Sequence, residues 1–413
     1  MKKLALNGGP KVITDALPRE WPGIRWIGKE ERKMVLSALE GGAFGGNLEE
    51  ELKRFYGCPT AVATNTGTTA LFAATAALAI KPGQEVLVPG FCWIPTFACV
   101  VSRGAIPVLV EVGEDLAIDP EDMERKITKK TAAVIVVHMC GAAADMDRIM
   151  RVARKHKLLV IEDCAQDGAG KYKGKYVGLF GDVGCFSLQQ NKHFTSFLGG
   201  YVISKSAKMG HPLGLCRDAG MSRLMNVVSH EVDEKVRWGM GLLLNPLARS
   251  MASAQLKKAP RILAAMRRSQ RRIIERIGEI PGLTFRRVAD PESNNGSFLI
   301  TFWPDAAKAR RAAKALKAEG VPEWIFHLQD YGVHMYYHMR PLVEKVGWSR
   351  GGPCPWDCPF NKGSNYSYKK GALPKSDEIF SRAVVMAVPS KLTGAQCDLI
   401  AEAYRKVAAQ VLK

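Results

Sequence analysis

The sequence predicts an α/β protein: a large domain built on a mostly parallel sheet flanked by helices, then a smaller C-terminal α+β domain. Three observations carry this. From Thr60 to Asp163 short apolar runs alternate with longer segments of helical periodicity, the rhythm of strands joined by helical crossovers. That block closes on LLVIED, an aspartate at the carboxyl end of a buried strand, where open α/β sheets bind their ligands. Near Ile280 the pattern changes to two strand-like runs around an Asn-Asn-Gly turn, IPGLTFRRVADPESNNGSFLITFW, so the domains are expected at 1–279 and 280–413.

Taken in order, AVAT leads into GTTALFAATAALA, EVLVP into WIPTFACVVSRG, IPVLVEV into DPEDMERKI and AAVIVVH into DMDRIMRVARKH. The later runs GDVGCFSL and GGYVIS extend the same sheet. In QLKKAPRILAAMRRSQRRIIER, Leu256, Ile262, Leu263, Met266, Ile273 and Ile274 recur at near-helical spacing, and DAAKARRAAKALKAEG repeats that amphipathic pattern. An irregular Gly/Pro/Cys/Tyr-rich region at 330–372 and a closing helix near GAQCDLIAEAYRKVAAQVL complete the chain. No internal repeat or low-complexity linker interrupts it.

At 413 residues the chain can bury a large core. The opening MKKLALNGGPKV has no apolar core before its Gly-Gly-Pro turn, and no apolar run reaches spanning length, so a soluble cytoplasmic protein with no membrane partner is expected. Ten cysteines lie scattered, many in apolar strands, which fits reduced buried thiols better than a disulfide framework. Cys354 and Cys358 lack a second pair at zinc-ligand spacing, and His334 and His338 lack a third ligand, so no metal site is expected. The net charge of +19 raises the question of a nucleic-acid partner. Its basic clusters fall on amphipathic helices, however, and read as solvated faces with no separate nucleic-acid-binding module.

The chemistry is concentrated in EDCAQDGAGKYKGKYVGLFGDVGCFSLQQNK, which opens on Glu162 and Asp163 and closes on Lys192. A carboxylate at a strand end and a lysine beyond a second apolar segment are the two protein groups that pyridoxal phosphate chemistry requires. The amine holds the aldehyde, and the carboxylate keeps the pyridine nitrogen protonated. Asn65-Thr66-Gly67-Thr68-Thr69-Ala70 lies at a strand-to-helix junction, where hydroxyls and free N–H groups receive a phosphate or simply cap a helix. Trp93 could cover a cofactor ring or pack in the core. His138 is equally readable as a site residue and as a satisfied core histidine.

With LALNGGPKV, GTTAL, EVLVPGFCWIPTFACVVSRGAIPVLVEV, HMCGAAADMD, VIEDCAQ, GDVGCFSLQQNK and ALPKSDEIFSRAVVMAVPSKLT, the chain resembles the DegT/StrS sugar and cyclitol aminotransferases, a branch of the fold-type I pyridoxal-phosphate-dependent transferases. By matching position, the resemblance makes Lys192 the Schiff-base lysine and Asp163 the partner of the pyridine nitrogen. Gln166 falls beside the phenolic oxygen, Thr68, Thr69 and Ser187 on the phosphate, and Trp93 on the ring. It implies amino transfer from glutamine or glutamate to a keto-sugar or keto-cyclitol by a ping-pong cycle through pyridoxamine phosphate, in a homodimer with shared active sites. The alternatives are dehydration and aromatisation of the aminohydroxybenzoate synthase kind, or a cofactor-binding partner protein without turnover.

Two departures from the family pattern stand out. Phe197-Leu198-Gly199-Gly200 replaces the usual Gly-Glu-Gly-Gly after the lysine. Gly241 stands where the family has an asparagine that reaches the neighbouring subunit's phosphate, with Asn245 close by. For the substrate, His334, Tyr336, His338 and Arg340 in FHLQDYGVHMYYHMR either present donors to a hydroxylated ring or pack a loop with its aromatics.

Overall fold

The computed structural model describes residues 3–18, 22–41, 47–220, 238–321, 324–348 and 355–413. The strands β1 (Thr60–Thr64), β2 (Glu85–Pro89), β3 (Ile106–Val110), β4 (Thr131–Val137) and β5 (Leu159–Asp163) come first. A short hairpin, β6 (Lys171–Tyr172) and β7 (Lys175–Tyr176), precedes β8 (Val183–Ser187) and β9 (Gly200–Ser204). Seven of these form one sheet in the order β1-β9-β8-β5-β4-β2-β3. Only β9 runs against its neighbours; the pairings among β8, β5, β4, β2 and β3 are parallel.

Both faces of the sheet are dry, and the period-two alternation of strand side chains divides its residues between two cores. Val88, Ile135, Ile161 and Val202 enter one core, while their chain neighbours Leu87, Val136, Val160 and Ile203 enter the other. That is why these strands read as unbroken apolar runs.

A second sheet, β10 (Thr284–Phe285), β11 (Phe298–Phe302), β12 (Ile325–His327) and β13 (Ala383–Ala387), is antiparallel throughout, in the order β10-β11-β13-β12. The helices Ala306–Ala318 and Gly394–Val411 contribute to its core. So do Leu4 and Ile13 of the N-terminal arm and Ile273 and Ile277 of the long helix Pro246–Ile277. The arm is fastened by buried Glu319, which accepts from the Ala5 N–H (2.8 Å) and the Val12 N–H (3.1 Å) and pairs with Lys406 (2.9 Å). On the long helix Leu256, Ile262, Leu263, Met266 and Ile273 are buried, as their spacing predicts, whereas Ile274 is half-buried.

The nine described cysteines are free and buried. Cys354 lies outside the described residues. Among those residues no helix is long and apolar enough to cross a membrane.

Candidate active site

The carboxyl ends of β1, β5 and β8 meet at one edge of the large sheet. After β1, Thr66 caps the helix Gly67–Ala77: its hydroxyl accepts from the Thr69 N–H (3.0 Å), and the Thr69 hydroxyl reaches back to the Thr66 N–H (3.0 Å). Thr69 also bonds Asn65 Oδ1 (2.7 Å). Its hydroxyl is thus committed to the cap. The helix start presses on the end of β8 so closely that a Cβ on Gly67 would lie 2.7 Å from that of Ser187. Glycine is required there by the close approach.

Beside this helix start is a cavity of about 450 Å³, within the range of small-molecule sites, lined by Gly67, Thr68, Trp93, Asp163, Gln166, Ser187, Lys192 and His334 among others. Of the residues picked out from sequence, Thr69 alone among the proposed cofactor contacts is not in its wall. Asp163, 4 % exposed, accepts from Thr96 Oγ1 at 2.9 Å and from the Ala165 N–H at 3.1 Å. Burial pushes its carboxyl up, opposed by those two bonds and by Lys192 and His138. Burial also lowers the Lys192 amine to about 8, against the pull of Asp163 upward. Gln166 is oriented by Oε1 accepting the Cys140 N–H (3.0 Å). Trp93, 45 % exposed, has its ring 4.9 Å from that of His334.

His334 is the single member of the predicted substrate cluster in the cavity wall. Its Nδ1 faces the Tyr331 carbonyl at 3.0 Å, which makes Nδ1 the donor and leaves Nε2 as the acceptor. Burial holds this ring far down, to about 4, so it is neutral at physiological pH. Tyr336 is buried, and its hydroxyl lies 3.1 Å from both Asp377 oxygens. His338 bonds the Gly332 carbonyl (2.9 Å), and Arg340 faces outward to pair with Glu344 (2.5 Å). The reason is conformational: successive 3-10 turns at Gly332–His334 and Tyr336–His338 send neighbouring side chains in different directions.

Leu198 lines the cavity, whereas Phe197 adopts φ +66° and stays half exposed. Gly241 also has positive φ, and Asn245 is spent as the cap of Pro246–Ile277, accepting the Ala248 N–H at 2.9 Å. Sequence reasoning missed Thr96, which holds Asp163, and Gln189 and Asn191, which line the cavity. Thr96 had a visible signal, being a lone polar residue in the apolar stretch WIPTFACVV.

His138, Glu162 and Cys164 are close enough to one another to suggest a metal. Their ligand atoms are already engaged, however. His138 Nδ1 accepts the Ala144 N–H (3.1 Å), and its Nε2 meets Glu162 at 3.0 Å. Glu162 further accepts from Gly178 (2.7 Å), Phe180 (2.8 Å) and Gly181 (2.7 Å), and burial pushes the Cys164 thiol far up. The group is a brace beneath β5. Glu162→Ala would strand these donors, and a loss of about 3–5 kcal/mol is expected in urea unfolding, the cost of removing one partner of a buried pair.

The residues fit pyridoxal phosphate on this evidence: a buried amine that is partly neutral near physiological pH, a buried carboxylate sharing its cavity, and a helix start with a hydroxyl-bearing strand end beside it. On this fold such a site defines the pyridoxal-phosphate-dependent transferases. Residues 26–346 match the model of the DegT/DnrJ/EryC1/StrS aminotransferase family, and the chain belongs to that family. It is 30 % identical to Protein MosB of Rhizobium meliloti over 277 residues, 63 % of this chain and 54 % of that protein. It is 36 % identical to the L-glutamine:2-deoxy-scyllo-inosose aminotransferase of Streptomyces fradiae over 215 residues, 50 % of this chain and 51 % of that enzyme. The chain spans about half the length of the curated relatives it matches. Among solved structures it resembles 3-amino-5-hydroxybenzoic acid synthase, with a TM-score of 0.78 and 23 % identity over 96 % of this chain and 100 % of that one.

Proposed function

We propose that this protein moves an amino group from glutamine or glutamate to a keto-cyclitol or keto-sugar. The observation that carries this is the Lys192 amine, buried with Asp163 in one cavity and poised near pH 8. When bound, pyridoxal phosphate supplies an electron sink for the carbon that gives up its proton. Lys192 Nζ would anchor the aldehyde and would hold and return that proton. Asp163, kept in place by Thr96 and Ala165, would pair with the ring nitrogen and keep it protonated. Gly67, Thr68 and Ser187 would take the phosphate, with Thr69 acting indirectly through the cap. Trp93 would cover the ring and Gln166 would hold the phenolic oxygen. His334, with a neutral Nε2, accepts a hydrogen bond from the substrate.

Leu198, 57 % exposed where it borders the cavity, is available for a second subunit, and a homodimer with shared sites working in the cytoplasm completes the proposal. The cyclitol side is supported by the name of the Streptomyces fradiae relative.

The test is a pair of half-reactions. Capture of pyridoxal phosphate by cofactor-free protein should quicken with pH as the amine sheds its proton, levelling above about 8. An ordinary lysine would keep quickening toward about 10.4. Glutamine or glutamate should then convert the bound aldehyde to the amine form, and a keto-cyclitol should reverse the change. If no amino donor converts it, the function is a different one.

A further inference from the structure

Behind Lys192 and Gln166 lies a buried polar cluster that joins the two sheets' halves of the molecule. Asn295, in the turn before β11, is fully buried. Its Nδ2 is 2.8 Å from Asp167 Oδ1, 3.2 Å from His193 Nε2 and 3.3 Å from the Gln166 carbonyl. Its Oδ1 accepts from the Ser297 N–H (2.9 Å) and the Ser297 hydroxyl (2.5 Å). A backbone N–H can only donate, so this contact fixes which way the amide faces: Nδ2 points at the carboxylate and the imidazole. His193 Nε2 is therefore the acceptor, and the ring carries its proton on Nδ1.

The same residue also holds the site's floor. The Asn295 N–H donates to the Gly141 carbonyl (2.8 Å), immediately after Cys140, whose N–H orients Gln166. Gly141 has φ +72°, and a Cβ there would fall 2.2 Å from Asn295 Oδ1. The outer atoms of the cluster, Asp167 Oδ2 and His193 Nδ1, are buried without partners, so Asn295 is the only side-chain hydrogen-bond partner of both groups among the described residues.

We propose that Asn295 is a positioning residue for amino transfer: it locks His193 and the Gln166-Asp167 turn together and so fixes the placement of Lys192 and Gln166 against the cofactor. The assignment rests on the aminotransferase reading of the same cavity. His193 follows Lys192 directly in the chain, so holding its ring holds the peptide from which the lysine extends. Asn295 reaches the site from the connection between β10 and β11 of the small sheet, and a shift of that connection is transmitted to both residues.

The test exchanges the hydrogen-bonding roles. Asn295→Asp has the same shape but sets a carboxylate oxygen against Asp167 and the His193 lone pair. Combining it with Asp167→Asn restores a donor facing an acceptor at that contact, and His193, whose Nδ1 has no partner, then carries its proton on Nε2 and donates to the new carboxylate. With saturating glutamine or glutamate, the first half-reaction of Asn295→Ala and of Asn295→Asp should slow on the order of tenfold, as displaced reacting groups do. The double exchange should recover most of that rate.

In cofactor-free protein, reductive methylation of Lys192, read by peptide mass, should change severalfold in the single variants and return in the double one. Thermal unfolding of each protein separates this from loss of fold. Single variants that keep the parent rate and the parent Lys192 reactivity would overturn the assignment, as would a double variant that folds but recovers neither. Should Asn295→Ala not fold, the double exchange decides. If the parent itself converts no donor, the aminotransferase reading has failed, and the methylation series still reports whether Asn295 positions Lys192.

Discussion

Lys192→Ala is expected to abolish amino transfer, with a fall in the donor half-reaction of at least about a thousandfold, since one group serves as both anchor and proton carrier. The fold should survive. The amine is buried and lowered to about 8 by its surroundings, so the native protein spends free energy to keep it there. Removing it relieves that cost and leaves the shell of Thr96, Ala165 and Cys140 bonds intact. Borohydride treatment of the loaded protein followed by peptide mapping checks the anchor: the label should sit on Lys192 in the parent and be absent from the variant. A Lys192→Ala protein that transfers amino groups at the parent rate would remove the foundation of the proposed function.

Asp163→Asn should leave the architecture nearly untouched and still cost on the order of a hundredfold to a thousandfold in rate, as the loss of one preorganised electrostatic group does. The amide can keep the Ala165 N–H as a donor to Oδ1, and its own Nδ2 can donate to Thr96 Oγ1, reversing that bond. What disappears is the charge. Asp163 raises the Lys192 amine, so without it the midpoint for aldehyde capture should move below about 8. The two readouts run in opposite senses: capture near neutral pH becomes easier while turnover collapses. A variant that kept both its turnover and its midpoint would show that the carboxylate faces neither the cofactor nor the lysine.

Much of this was legible in the chain. The alternation from Thr60 to Asp163 gave the parallel sheet because strands buried on both faces must be apolar at every position, and the helices between them must carry a 3.6-residue stripe. Lys192 and Asp163 could be marked as candidates because polar groups among apolar strands are rare and the two types match one chemistry, whereas Gln166 was marked by the family resemblance. Thr96 was readable in principle. Thr69 and Arg340 show the limit: a hydroxyl at a helix start reads equally as a cap or a ligand, and an arginine in a histidine-rich loop says nothing of the direction in which it points.

Asn295 marks the boundary most sharply. It lies 129 residues from Gln166 and 102 from His193, and an Asn-Asn-Gly sequence announces only a turn. Periodicity and residue type are local properties, so the chain by itself determined the strands, the helices and which two residues to propose as the reactive pair. Which polar groups are spent on caps, as Thr69 and Asn245 are, and which meet across the two sheets, as Asn295 and Asp167 do, was decided by tertiary structure alone. A side-chain hydrogen bond forms with whatever group packing brings within about 3 Å, and that neighbour is set by the whole fold.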